Sequence, residues 1–215
     1  MRFHKLLTLI TLLIAAAIHT QSAHADFTIL LGDIDGGTGG DAADSVFADP
    51  AWVAAVDANT PASDPEVGFD VGGINQNVVF TFLFDIPVGE QIVGATFTTG
   101  LRGTAGQVST DGVFFDLPPV LNTLDNFISY QDLGWDPIPG NTVVIRNTDL
   151  ANTAGMNLLP LLNDGQFNVL IRDDSLVDFA QLSVTTAAVI PEPATIVGLS
   201  AFTAIAAIRR RRRSV

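Results

Sequence analysis

The side chains able to do chemistry in this chain are mostly carboxylates. The densest run lies near the start: Gly32-Asp33-Ile34-Asp35-Gly36-Gly37-Thr38-Gly39-Gly40-Asp41-Ala42-Ala43-Asp44. Aspartate supplies hard oxygen donors, and the interleaved glycines let the backbone fold round an ion. The Asp-x-Asp-Gly opening matches the start of an EF-hand loop, but no Glu closes it at the right distance and its flanks do not read as helical. The stretch reads either as a looser Ca²⁺ loop, with Asp33, Asp35, Asp41 and Asp44 as ligands, or as a flexible acidic turn. A second acidic group, Asp173, Asp174 and Asp178, stands near the other end of the body. Paired aspartates in a turn commonly cap backbone N–H groups. If the first and last strands lie side by side, however, Asp178 approaches the first loop and joins the candidate ligands.

The rest of the inventory excludes whole classes of chemistry. The three histidines (His4, His19, His24) and the one lysine (Lys5) fall in the first 25 residues, and there is no cysteine. The stretch 26–188 therefore cannot build a Ser-His-Asp or Cys-His nucleophile, a His-ligated zinc site, a P-loop or a Schiff-base lysine. Paired Asp or Glu could still hydrolyse a glycosidic bond, but no pair stands out by spacing. Disulfides are excluded as well.

Charge narrows the partners. The body holds 22 acidic groups against three basic ones (Arg102, Arg146 and Arg172), a formal charge of −19. Counterion release needs Lys and Arg, so nucleic acid and anionic lipid are poor partners. Self-repulsion at this charge is severe, and bound Ca²⁺ would relieve it.

The elements that must position these groups read as strands. Asp26–Leu31 forms the first and runs straight into the acidic loop. Asp49 caps a short helix from Pro50 to Val56, whose Trp52 reads as packing or as a sugar-stacking ring. Asn77–Phe84, with Phe80, Phe82 and Phe84 on one face, is the strongest strand signal and looks central in a sheet. Gln91–Leu101, with Val93, Ala95, Phe97 and Leu101 inward, is expected to pair with it as a hairpin. Further strands are expected at Gly112–Asp116, Phe127–Tyr130, Asn141–Arg146, Gln166–Arg172 and Asp178–Thr185, the last two forming another hairpin. Ala154–Leu162 reads as a helical turn broken by Pro160, and Asn163-Asp164-Gly165 as a tight turn. Many short strands and little helix predict an all-β domain, a β-sandwich or jelly roll. Tyr130 and Trp135, in and beside a Pro-rich loop, are the expected exposed aromatics of a sugar-facing rim.

The two ends carry addresses. Arg2, His4 and Lys5 precede an apolar run from Leu6 to Ile18, and Ala23-His24-Ala25 is a small-x-small cleavage site. Residues 1–25 therefore read as a signal peptide cut after Ala25. At the other end stand Pro191-Glu192-Pro193, an uncharged run at 194–208 and the block Arg209 to Arg213. As a helix the run is about 22 Å long at 1.5 Å per residue, short of a hydrocarbon core of about 30 Å. Arginines resist transfer across the bilayer, so Arg209, Arg210 and Arg211 with their neighbours would hold the tail on the cytoplasmic side. A marginal transmembrane helix suits a temporary anchor.

This tail, 189–215, resembles the PEP-CTERM sorting signal of bacterial surface proteins, in the order Pro191-Glu192-Pro193, apolar segment, arginine cluster. The resemblance implies recognition by an exosortase in the inner membrane of a bacterium with two membranes. It implies cleavage near Pro-Glu-Pro, then residence at the cell surface among exopolysaccharide. The body is similar, on pattern and acidic loops alone, to carbohydrate-binding-module jelly rolls with a structural Ca²⁺. The expected function is a non-enzymatic surface or matrix protein that binds or packs in extracellular polysaccharide. A carboxylate-pair glycosidase and a Ca²⁺-dependent protein–protein adhesion module are the alternatives.

Overall fold

The computed structural model describes residues 24–37, 47–59, 66–71, 76–104, 111–115, 127–172 and 174–189. The body, Ala25–Thr186, is one compact unit. The terminal segments, Met1–His24 and Ala187–Val215, form a separate unit. Residues 1–23 of the leader and the 194–208 span lie outside the described residues, as do Pro191, Glu192, Pro193 and the arginines from Arg209 on, while His24 and Ala25 of the expected cleavage site open β1. Among the described residues, no helix is long and apolar enough to cross a membrane.

The described elements run in this order: β1 (His24–Gly32), α1 (Pro50–Asn59), β2 (Glu66–Val67), β3 (Asn77–Leu83), β4 (Glu90–Gly103), β5 (Gly112–Phe115), β6 (Phe127–Ser129), β7 (Val144–Asp149), a 3-10 turn (Leu159–Leu162), β8 (Gln166–Arg172) and β9 (Ser175–Ala188). The strands form two sheets, ordered β1-β9-β4-β7 and β2-β3-β8-β5-β6. Pairing is antiparallel in the registers β3–β8, β4–β7, β5–β6 and β5–β8, and parallel in the two-residue pair β2–β3. The body is thus an all-β sandwich.

Aromatic rings fill the space between the sheets. Phe97, on β4, is buried and faces the other sheet, its ring 6.3 Å from both Phe80 and Phe82 and 5.5 Å from Phe115. Phe82 and Phe115 each stack on Phe167. Such pairs add about 0.5–1.5 kcal/mol each beyond area burial, so the core itself dictates which sheet each strand joins.

That dictation overrides both expected hairpins. β3 and β4 lie in opposite sheets, as do β8 and β9. The end of β3 is taken by another partner: the Phe84 amide donates to the Gly165 carbonyl at 2.9 Å, continuing the Leu83–Gln166 register of β8. The chain then crosses between sheets over Asp85–Gly89.

β3 is buried on both faces because a helix covers its outer side. Val79, Phe114 and Leu170 pack there with Trp52 and Val56 of α1. Asp49 caps that helix as its sequence predicts, Oδ1 accepting from the amides of Ala51 (2.9 Å) and Trp52 (3.1 Å). Trp52 is packing: it is buried, and its indole donates to the Val169 carbonyl at 3.3 Å. Three smaller expectations shift. Val93 is 41% exposed, because the inward phase of β4 changes from Ile92 to Ala95 across Gly94. The Asn141–Arg146 strand begins later, at Val144. Pro160 stands at the start of the 3-10 turn rather than breaking it, since proline is tolerated where no N–H is needed.

Candidate metal centre

β1 and β9 are neighbours in one sheet. Their pairing carries the acidic loop after β1 to Asp178, and the contact begins at Gly32. Its φ of +72° belongs to the left-handed region, and a Cβ there would lie 2.2 Å from Phe69 Cδ2 and 2.8 Å from the Asp178 carbonyl oxygen. Only glycine lets the chain leave β1 flush against that ring and that backbone. Phe69 is fully buried, and the next residue, Asp70, is itself left-handed at φ +57°. The Asp70 amide donates to the Val177 carbonyl at 2.8 Å. Three distant stretches (the loop after β1, the turn at Phe69–Asp70 and the start of β9) are thereby held together.

Asp178 is the clamp. Its side chain is 1% exposed, and its Oδ1 accepts from the amides of Gly36 at 2.9 Å and Gly37 at 2.7 Å. The Gly37 amide is shared with Asp35 Oδ1 at 2.9 Å. Burial pushes the Asp178 carboxyl above the ordinary aspartate value of 3.8. The Gly37 and Gly36 amides pull it down, while the Asp35 carboxyl raises it through a hydrogen bond and through like charge.

Above this clamp, one ligand oxygen each from Asp33, Asp35 and Asp70 lies within 4.8 Å of the others. Asp70 is 9% exposed, and its Oδ1 faces the loop, 3.6 Å from where a Gly37 Cβ would stand. Ionised carboxylates at that spacing repel by roughly 3 kcal/mol per pair at an effective dielectric of about 20. The donor set is all oxygen, with no nitrogen or sulfur. That chemistry fits a hard divalent cation such as Ca²⁺ and does not fit structural zinc. Asp33, Asp35 and Asp70 would hold the ion, and its charge would offset their repulsion.

Of the residues singled out from sequence, the structure brings Asp33, Asp35 and Asp178 together, with Asp178 placed to grip the loop backbone. Asp41 and Asp44 lie outside the described residues. Asp70 was missed. Its only local signal is an aspartate in the turn segment Gly68-Phe69-Asp70-Val71-Gly72, which says nothing about a loop 37 positions earlier.

Tyr130 and Trp135 are a correction. They are 0% and 2% exposed, so neither offers a face to a sugar. Their rings lie 5.8 Å apart, and Trp135 stacks on Phe97 at 6.3 Å. The polar tips are satisfied inside: the Tyr130 hydroxyl meets Ser175 Oγ at 3.0 Å, and the Trp135 indole donates to the Asn147 carbonyl at 3.2 Å. Large amphipathic rings with one partner for the polar end belong to the core.

No known protein family matches this chain, and no curated protein matches it.

Proposed function

We propose that this protein is an exported, non-enzymatic component of a bacterial surface or exopolysaccharide layer, a Ca²⁺-stabilised β-sandwich. In this reading an exosortase releases it from a C-terminal PEP-CTERM anchor. The observation that supports the structural role is the convergence at Asp178. One buried carboxylate grips the loop after the first strand, and an all-oxygen cluster forms where that loop meets the turn before β3. An ion there would tie the loop after the first strand to the Phe69–Asp70 turn outside the cell, in a body that has no cysteine to do so. The sheet orders favour a jelly roll. With the two-residue β2 set aside, β1-β9-β4-β7 faces β3-β8-β5-β6, eight strands wound as two Greek keys. That architecture suits binding and assembly but does not fix either.

A glycosidase reading finds less support. A buried carboxyl with a raised pKa beside a second carboxyl resembles an acid–base pair. Asp178, however, is closed to solvent and spends its Oδ1 on two amides, so it is badly placed to protonate a leaving group.

The test is retention of the exported protein on exopolysaccharide purified from its own producer, in Ca²⁺, with reducing sugar measured alongside. Retention without sugar release is expected. Sugar release abolished by a single Asp→Asn change would replace the proposal with the hydrolase. Absence of retention on every glycan, together with Ca²⁺-dependent self-association, would replace it with the adhesion module.

A further inference from the structure

We infer that an uncharged polysaccharide docks on the outer face of the β1-β9-β4-β7 sheet. This rests on the polysaccharide reading above and assigns it a surface. With Tyr130 and Trp135 buried, that surface cannot be the aromatic rim. The opposite sheet is covered on its outer side by α1. The β1-β9-β4-β7 sheet instead presents hydroxyl and amide groups in rows across its strands.

The rows follow from contacts. Thr28 Oγ1 meets Ser183 Oγ at 3.1 Å, joining β1 to β9. A Cβ on Gly94 would lie 3.8 Å from Thr185 Cβ, and one on Gly100 would lie 2.7 Å from the Phe179 ring. These two contacts fix the antiparallel stepping of β4 on β9, which sets Thr96 beside Ser183 and Thr98 beside Gln181. Across the next strand, Thr98 is in register with Asn147 and donates to its Oδ1 at 2.7 Å. Gln181 donates to Ser183 Oγ at 3.3 Å. The result is a polar patch spread over four strands, about 14 Å at 4.8 Å per strand, with outward groups roughly 6.7 Å apart along each strand; the exposed Leu30 and Ile145 and the carboxylate of Asp149 border it.

Its chemistry selects the partner. Hydroxyls and primary amides donate and accept at once, as sugar hydroxyls require. Thr28, Thr96 and Asn147 are exposed, and Thr98, Gln181 and Ser183 are half-buried. The mutual hydrogen bonds already hold several of these side chains in place, which lowers the entropy lost on binding. Charge decides between polymers. The body stands at −19, and the acidic groups on this face, Asp26 on β1 and Asp149 in register with Thr96 on β7, add to that charge, while Arg102 stands beyond Gly100 at the far end of β4. A uronic-acid polymer would meet the repulsion of the whole body and of Asp149 beside Thr96, whereas a neutral polymer meets none.

The test is affinity electrophoresis of the exported protein through gels cast with galactomannan or hydroxyethylcellulose, and through gels cast with alginate. At least one neutral polymer should retard it, and alginate should not. Thr96→Glu with Ser183→Glu should weaken retardation at least tenfold. Val88→Glu, a fully exposed change in the β3–β4 connection, should leave it unchanged. Thr28→Ala with Asn147→Ala removes two exposed polar groups without adding charge and should weaken it at least threefold, so misfolding of the Glu pair cannot mask the answer. Equal retardation of wild type and both double variants would overturn this surface while leaving the polysaccharide reading intact. No retardation by any polymer would overturn both. Preference for alginate would overturn the neutral partner. If the variants lose self-association in sedimentation but not retardation, the face belongs to a second copy of the chain and the inference fails.

Discussion

Gly32→Ala probes the junction on which the acidic centre is built. Two penalties add at this position. An alanine held at φ +72° costs about 1–2 kcal/mol of left-handed strain. Its Cβ would sit 2.2 Å from Phe69 Cδ2, and Phe69 is fully buried, so the ring or the turn must move. Overpacking of that kind costs about 1–3 kcal/mol. The sum is about 2–5 kcal/mol, a large part of a typical total stability of about 5–15 kcal/mol. For a domain of this size each kcal/mol lowers Tm by about 2–4 °C, so the expected fall is about 4–20 °C. Gly36→Ala is the control. Its φ is +86° and nothing lies within 4 Å of the added carbon, so only the strain remains and the expected fall is about 2–8 °C. Thermal and urea unfolding of the protein read both. A double-mutant cycle of Gly32→Ala with Phe69→Leu isolates the contact, and the pair should be less destabilising than the sum of the singles. Equal melting of the two alanine variants, together with additivity in the cycle, would refute the packing argument.

Other expectations follow from the same contacts. In chelator, Asp178 has a folded value raised above 3.8, so its stabilising contribution is full below 3.8 and is lost as pH rises through the folded value. Asp178→Asn keeps an acceptor oxygen for Gly36 and Gly37 but cannot titrate. Wild type should therefore gain stability relative to this variant as pH falls from 7 towards 4, and parallel unfolding profiles would contradict the burial of a titrating carboxyl. Tyr130→Phe should cost about 1 kcal/mol by removing the hydroxyl from Ser175, without changing retention on glycan; reduced retention at equal stability would return Tyr130 to the binding surface. Asp49→Ala should destabilise by about 0.5–2 kcal/mol through loss of the α1 cap, and an unchanged urea midpoint would show that the cap contributes nothing.

Local features were legible from sequence where one residue type settles local geometry. The Asp49 cap, the glycine-closed turn at Gly165, with φ +80°, and the whole of β8 stand where their residues place them. Side-chain alternation also marked the inward Phe80, Phe82 and Phe97 correctly. Sheet membership was not legible. A short connection such as Asp85–Gly89 looks like a hairpin, and only the distant Gly165 carbonyl and the ring cluster around Phe97 reveal the crossing. The same holds for Tyr130 and Trp135. A polar, proline-rich neighbourhood suggests exposure, while the groups that let them bury, Ser175 and the Asn147 carbonyl, come from other elements. The acidic centre was half legible: the glycine-spaced aspartates announced Asp33 and Asp35, but Asp70 arrives through tertiary packing against Gly32.

The cation proposed for Asp33, Asp35 and Asp70 is what the proposed structural role depends on. Its direct test is thermal unfolding of the protein in Ca²⁺ at about a hundredfold excess over the dissociation constant, and again in chelator. Binding to the folded state alone adds about 2.7 kcal/mol under those conditions, which corresponds to a Tm rise of roughly 5–11 °C. Asp70→Asn should abolish most of that rise. Identical melting with Ca²⁺ and with chelator would contradict the account.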